Sequence, residues 1–305
     1  LTVNPDPSVV HRAVFLVGPT SVGKSVLALN LAEKYGGEIV CADAFQLYRE
    51  FPVLSAQPTA ADRARVPHHL FGSVSATEEM DAARFAGLAR EAMAAVVARG
   101  NLPLVVGGSG LYVQALIAGL PALPAIDPSL RARVRAMTLE AMLEHLRELD
   151  PASLLLIDVH NPRRVARRLE LCLQTGRPAS ELLTEPPIPA GLRGLWLTRD
   201  REDLQACIAV AVVARLAGGA IEEVRAARSL ASGTARQILG WREIGDYLDG
   251  KILPEECRER LTAATRQYAK RQLTWFRGRG TFPAENLSLV TADQTDFIAR
   301  RLGLS

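Results

Sequence analysis

Eight residues, Gly18-Pro19-Thr20-Ser21-Val22-Gly23-Lys24-Ser25, constrain this chain more than any other stretch in it. They follow an apolar run, Ala13-Val14-Phe15-Leu16-Val17, and precede a helical pattern that begins at Val26. Strand, glycine-bounded loop and helix form the setting in which GxxxxGKS cradles phosphate. Gly18 and Gly23 permit the backbone to curl so that consecutive N–H groups point inward. The helix N-terminus adds its dipole, Lys24 a movable cation, and Ser25 a hydroxyl suited to Mg²⁺. The expected ligand carries at least two phosphates.

The alternation continues downstream. Glu38-Ile39-Val40-Cys41-Ala42 reads as a second buried strand ending at Asp43, Ala82 to Arg99 as an amphipathic helix, and Leu102 to Val106 as a third strand. Such βα alternation implies a parallel sheet with covered faces, whose sites gather at the C-terminal strand ends. Three segments fall there: the phosphate loop, Asp43, and Gly107-Gly108-Ser109. From Pro121 the strand signal stops. Helical patterns run from Pro128 to Leu149 and from Pro162 to Thr175, the second capped by Asn161 and ended by Gly176. Pro186, Pro187 and Pro189 close this excursion, Leu192 to Leu197 reads as a returning strand, and the remainder reads as mostly helical. The expectation is an α/β fold. A P-loop NTPase-like parallel-sheet core flanked by helices spans 1–119 and 190–305, with a helical insertion at 120–189 and a helical C-terminal part.

A chain of 305 residues has room for this arrangement, and 48% apolar with 23% charged residues suits a globular enzyme. The apolar stretch from Leu102 to Leu120 is interrupted by Gly107, Gly108, Ser109 and Gly110, so it is not read as a membrane span. Asn4, Pro5, Asp6, Pro7 and Ser8 carry no signal-peptide pattern. Cys41, Cys172, Cys207 and Cys257 lie far apart, none in a CxxC pair, which argues against a zinc site or disulfide framework and fits a reducing cytosol. The net charge is only +3, but Arg258 to Arg279 alone carries seven basic residues and one acidic, leaving −3 elsewhere. That stripe suits a polyanion docked at one place, or else a solvated helix face.

Asp43 has two chemical readings. It can hold Mg²⁺ through water, as in nucleotide hydrolases, or act as a general base facing a substrate; a helix-capping role is the plain alternative. The continuation Ala44-Phe45-Gln46-Leu47-Tyr48 places Gln46 and Tyr48 beside the carboxylate, which suits an organic substrate. Gly107-Gly108-Ser109-Gly110-Leu111-Tyr112 allows close backbone approach, with Ser109 able to bond a ligand, though a tight turn explains it equally. The third strand ends without an acidic residue. His68 and His69 have no third ligand nearby in sequence, so a metal role is not expected. In Arg163-Arg164-Val165-Ala166-Arg167-Arg168, Val165 with Leu169 and Leu173 should pack inward and leave the arginines to solvent or phosphate. Sorting the C-terminal basic helix at about 100° per residue puts Arg266, Lys270 and Arg277 on one face. Leu261, Ala264, Tyr268 and Trp275 fall on the other, so the two aromatics read as core rather than stacking platforms.

Taken in order, these segments resemble the tRNA dimethylallyltransferase (isopentenyl-tRNA transferase) family over nearly the whole chain. The resemblance rests on residues 18–25, on Glu38-Ile39-Val40 leading into Asp43-Ala44-Phe45-Gln46-Leu47-Tyr48, and on Pro67-His68-His69-Leu70. It continues through Pro103 to Tyr112, Asn161-Pro162-Arg163-Arg164, Gly240-Trp241-Arg242-Glu243 and Ala264 to Arg277. It implies transfer of a dimethylallyl group from its diphosphate to the exocyclic amine of adenosine 37, beside a tRNA anticodon. The phosphate loop would then hold the prenyl diphosphate with Mg²⁺ on Ser25, while Asp43 serves as hydrogen-bonding base with Ser109 assisting. The adenine would have to leave the anticodon-loop stack. The resemblance also assigns tRNA contacts to Asp43, Ala44, Phe45, Gln46, Ser109, Arg131, Arg163, Arg164, Val165, Ala166, Arg167, Gln237, Arg242, Lys270, Arg271, Gln272, Trp275 and Arg277. It makes the 120–189 insertion a tRNA-binding unit and the protein a cytoplasmic monomer.

The chain departs from the family pattern in three places. Ala44 stands where the family usually has Ser, and Leu54-Ser55-Ala56-Gln57-Pro58 where it has Gly-Thr-Ala-Lys-Pro. Near Ala211 the family tends to carry a diphosphate-holding arginine, for which Arg215, one turn on, is a substitute. Three other functions compete: an adenylate dimethylallyltransferase acting on free nucleotide, a P-loop small-molecule kinase, and a catalytically silent tRNA-binding homologue. The insertion and basic helix argue against the first, and the acid-free end of the third strand against the second.

Overall fold

The apolar run before the phosphate loop becomes β1 (Val14–Val17), buried at every residue. The computed structural model describes residues 7–290 and 293–304, so Asn4, Pro5 and Asp6 of the N-terminal segment lie outside the described residues. After β1 come β2 (Gly37–Cys41), β3 (His68–His69), β4 (Leu102–Gly107), β5 (Arg193–Thr198) and β6 (Ala284–Asn286). They form one sheet in the order β3-β2-β4-β1-β5-β6, every neighbouring pair parallel. Burial on both faces requires near-continuous apolar strands, and β1 and the middle of β4 have them. The α/β reading therefore holds. The sequence missed β3 and β6, since two histidines and the short, mostly polar run Ala284–Asn286 carry no strand pattern.

The strand order positions the site. β4 lies between β1 and β2, in register Val17↔Gly107 and Cys41↔Val106. The loops that follow these three strands are therefore neighbours at one edge of the sheet. Helix Lys24–Tyr35 follows the phosphate loop and buries Leu27, Leu31 and Ala32 on the sheet. Helix Ala82–Ala98 begins at Asp81, whose side chain accepts from the Arg84 N–H. The stretch from Leu102 to Leu120 resolves into β4, a turn and helix Gly110–Ile117. No single helix among the described residues is long and apolar enough to cross a membrane.

Glu38, in β2, is buried and ties this edge of the sheet together. Its carboxylate accepts two bonds from Arg99 (2.9 and 2.6 Å), one from Asn101 (2.7 Å) and one from His69 (2.5 Å). The Arg99 bonds, followed by those of Asn101 and His69, outweigh the cost of burial and hold the group down at about 2, from an ordinary 4.5. A depressed carboxylate stabilises the fold above its unfolded value and loses that contribution as pH falls from about 4.5 to 2. Glu38→Ala is expected to cost about 2–3 kcal/mol at pH 7, the half-exposed Arg99 screening part of the gain. Urea melts of the two proteins should converge as pH falls toward 3; a gap that stays constant would assign the loss to packing.

The described chain divides into two compact units, with Leu120–Pro187 forming the second. That unit is helical, with its own core of Leu130, Val134, Met142, Leu146, Val165, Leu169 and Leu171. The helix expected over Pro128 to Leu149 is two, Pro128–Arg135 and Leu139–Leu149, because the Thr138 side chain caps the second by accepting from the Ala141 N–H (3.2 Å). In helix Pro162–Thr175, Asn161 caps the start and Gly176 the end, as the sequence indicates. Leu173 does not pack inward; it is 41% exposed, and Cys172 takes the buried position on that turn.

Candidate active site

The phosphate loop takes backbone conformations that few sequences allow. Gly18 (φ 146°), Ser21 (φ 63°) and Gly23 (φ 106°) all have positive φ, so three of eight residues are in the region that side chains disfavour. Lys24 Nζ donates to the Gly18 and Pro19 carbonyls (3.0 and 2.6 Å), folding the cation back over its own loop. Arg199, at the end of β5, braces the far side by donating to the Val22 carbonyl (2.9 Å) while paired with Asp203 (2.7 Å).

The other two loops interlock. A Cβ on Gly107 would lie 2.0 Å from the Ala42 carbonyl oxygen, so only glycine lets the ends of β2 and β4 close together. Ser109 Oγ then accepts from the Ala44 N–H (2.9 Å), and Asp43 Oδ1 from the Phe45 N–H (3.0 Å). Both side chains thus shape the turn that carries the carboxylate.

These loops open on a cavity of about 630 Å³ whose polar lining includes Thr20, Lys24, Ser25, Asp43, Gln46 and Arg215. Ala206, Val210 and Ala211 supply an apolar wall. Burial lowers Lys24 to about 8 from 10.5, the Asp43 charge opposing part of that shift. Burial likewise lowers Arg215, again opposed by Asp43. Arg215 Nη2 reaches Thr20 Oγ1 at 3.5 Å, yet Arg215 Nε and Ser21 Oγ are buried with no hydrogen-bond partner among the described residues. Orphaned buried donors beside a phosphate loop mark a place for an anion.

The structure gathers some of the sequence-predicted residues and not others. Asp43, Ser109 and residues 18–25 converge on the three neighbouring loops. Gln46 lines the cavity, its amide donating to the Ser55 and Ala56 carbonyls (3.1 and 2.7 Å). Phe45 packs on Tyr268 with ring centres 5.6 Å apart, and Arg271 lies 5.6 Å above that ring. The long helix Pro254–Arg279 buries Leu261, Thr265, Ala269, Gln272 and Phe276, a face rotated from the one the sequence indicated. Tyr268 and Trp275 sit at its margins, half-buried, with Arg279 stacked 4.6 Å from the Trp275 ring. Lys270, Arg271 and Arg277 are exposed, whereas Gln272 is buried and points at the loops rather than at solvent. Arg242 and Gln237 are exposed, the Gln237 amide donating to the Gly233 carbonyl.

Within the insertion, Arg163 and Arg164 are exposed, Ala166 is half-buried, and Arg131 and Arg167 each lie 3.9 Å from Glu170. Val165 is fully buried, so its side chain belongs to the core and not to an RNA contact. His68 Nδ1 is bonded to the Val66 carbonyl and His69 to Glu38, and no cluster of three metal-binding side chains occurs among the described residues. The sequence reading missed Arg199, whose only signal is a basic residue directly after the returning strand, and Tyr268 as a neighbour of Phe45.

Parallel sheet, phosphate loop and facing carboxylate define a P-loop-type α/β protein with an anion site. Two family models match it: IPP transferase over residues 46–279 and isopentenyl transferase over residues 11–67. The chain is 45% identical to the tRNA dimethylallyltransferase of Parvibaculum lavamentivorans, covering 88% of each chain, and 42% identical to that of Anaeromyxobacter sp., covering 87% of this chain and 90% of the other. It superimposes on the crystal structure of the full-length tRNA isopentenylpyrophosphate transferase of Bacillus halodurans with a TM-score of 0.70 at 33% identity, covering 95% and 96% of the two chains. Against a eukaryotic dimethylallyltransferase acting on tRNA the TM-score is 0.77 at 25% identity, covering 94% of this chain and 77% of the other. The chain belongs to the IPP transferase family, that of the tRNA dimethylallyltransferases.

Proposed function

We propose that this protein transfers a dimethylallyl group from dimethylallyl diphosphate to the exocyclic amine of adenosine 37 in tRNA, releasing diphosphate. The observation that carries this reading is the pair of orphaned donors, Ser21 Oγ and Arg215 Nε, flanking a phosphate loop that faces Asp43 across one cavity. Loop amides, Lys24 and Arg215 bind the diphosphate and stabilise the charge that develops as the allylic C–O bond breaks. The adenine nitrogen forms the new C–N bond, and its proton passes to Asp43. That help is needed because the amine lone pair is delocalised into the ring. Ser109, bonded to the Ala44 N–H, holds Asp43 in place from behind. The departure at Ala211 is offset by Arg215, which enters the same cavity one turn later.

Ser25 also lines the cavity, and its hydroxyl is a hard oxygen donor of the kind Mg²⁺ takes alongside substrate phosphates. It would hold the ion, which would neutralise charge on the departing diphosphate. Adenine must be extruded from the anticodon loop to reach this depth. The exposed Lys270, Arg271 and Arg277 of the long helix, and Arg163 and Arg164 of the insertion, are the proposed phosphate contacts. We place the enzyme in the cytoplasm as a monomer, the four unpaired cysteines being in keeping with a reducing compartment.

Incubation with labelled dimethylallyl diphosphate and unmodified tRNA, AMP or ATP tests the reading. Label should enter tRNA at adenosine 37. Label on AMP, ATP turnover without transfer, or tRNA binding without transfer would each replace it. Changing both Lys270 and Arg277 to alanine should weaken tRNA binding about tenfold and flatten the log K against log salt slope by about 1.5. An unchanged slope assigns that face to solvent.

A further inference from the structure

Gln272 sits on the face of the long helix turned toward the sheet, 5% exposed. Its carboxamide spans two loops: Oε1 accepts from the Thr20 N–H (2.9 Å), and Nε2 donates to the Gly108 carbonyl (2.9 Å). Thr20 belongs to the phosphate loop after β1 and Gly108 to the turn after β4, so one side chain bridges adjacent strand ends. The space is made for it. A Cβ on Gly108 would lie 2.2 Å from Nε2, so the amide packs directly on glycine backbone. On the same helix Lys270, Arg271 and Arg277 are exposed to solvent.

We propose that Gln272 is a positioning residue for the prenyl donor, not a tRNA contact: it holds the phosphate loop open in its binding shape from the RNA-facing helix. Three consequences follow from the geometry. The Thr20 N–H is committed to the helix and does not bond the diphosphate. The remaining loop donors keep a fixed spacing from the Gly107-Gly108-Ser109 turn, and hence from the turn that carries Asp43. Donor affinity depends on a side chain that the diphosphate never touches. This inference rests on the proposed reaction, and the two fail separately: wild-type protein that transfers no label defeats the reaction, while normal kinetics in the variants defeats only the role of Gln272.

Gln272→Met keeps the shape and removes both hydrogen bonds. It should raise the KM for dimethylallyl diphosphate about tenfold and lower kcat less than about threefold, with tRNA affinity within about twofold of wild type. Gln272→Glu supplies a second readout. A neutral carboxylic acid can both accept and donate as the amide does, whereas a carboxylate cannot donate to Gly108 and repels the diphosphate. Ionised at pH 8, it should raise the donor KM by at least as much as Gln272→Met does. A tRNA dissociation constant that rises tenfold in Gln272→Met while the donor KM is unchanged would make the residue an RNA contact and overturn the proposal. A donor KM in Gln272→Glu equal to that of wild type at pH 8 would do the same. Should the methionine variant fail to fold, the glutamate variant decides alone.

Discussion

Asp43→Ala should lower prenyl transfer to tRNA by about 10³-fold while leaving tRNA affinity within about twofold, because a positioned general base contributes about 10²–10⁴ in rate and little to binding. Rates come from label transfer and affinity from filter binding. The structure makes Asp43→Asn the sharper companion. The carboxylate accepts from the Phe45 N–H through Oδ1 (3.0 Å), and an amide oxygen can keep that bond and so keep the turn. Only the charge and the basic lone pair are lost. If Asp43 takes the proton from the adenine amine, the asparagine variant should be nearly as slow as the alanine variant, with an unaltered Mg²⁺ requirement. If it instead holds Mg²⁺ through water, half-saturation by Mg²⁺ should rise about tenfold in both variants and excess metal should restore rate. Equal loss of tRNA affinity and rate would remove the base assignment altogether.

Which parts of this site were legible beforehand follows from how each is built. The phosphate loop was legible because its backbone demands are met by residue type: glycines at 18 and 23 sit at φ 146° and 106°, and the strand before them is uniformly apolar. Asp43 and the glycine turn were legible as strand ends. Their adjacency was not, since it depends on β4 inserting between β1 and β2, which no local pattern encodes. β6 was invisible because a three-residue strand with two polar residues pairs along one edge of β5. The long helix was misjudged by rotation for a physical reason. Sorting by hydrophobicity overlooks polar residues that satisfy themselves internally. Thr265 returns its hydroxyl to the Leu261 carbonyl (2.7 Å), and Gln272 bonds two loops, so both are buried at no unpaired cost. Trp275 and Tyr268, whose apolar rings dominated that sorting, were pushed to the margins.

Lys24 is the second place where substitution should be severe, and here pH adds a test that mutagenesis alone lacks. Lys24→Met should cut kcat/KM for the donor about 10²–10³-fold, the scale of one preorganised charge at a developing anion. Burial has already brought the ammonium down to about 8, so in the free enzyme it loses its proton within an accessible range. In the proposed reaction the protonated form binds the diphosphate, which fixes the sign. In wild type, kcat/KM should therefore hold level below about pH 8 and fall about tenfold per unit above it. Bound diphosphate places negative charge beside the lysine and favours the proton, so kcat should stay level to higher pH than kcat/KM does. Without the anion, Lys24 Nζ rests on the Gly18 and Pro19 carbonyls, and those bonds must be exchanged for phosphate oxygens on binding. Lys24→Arg, charged throughout, should be slower because a planar fork replaces a compact ammonium, yet its kcat/KM should lack the alkaline limb up to about pH 10. A wild-type profile that stays flat through pH 9, together with a mild loss in Lys24→Met, would mean that the loop amides and Arg215 carry the diphosphate between them.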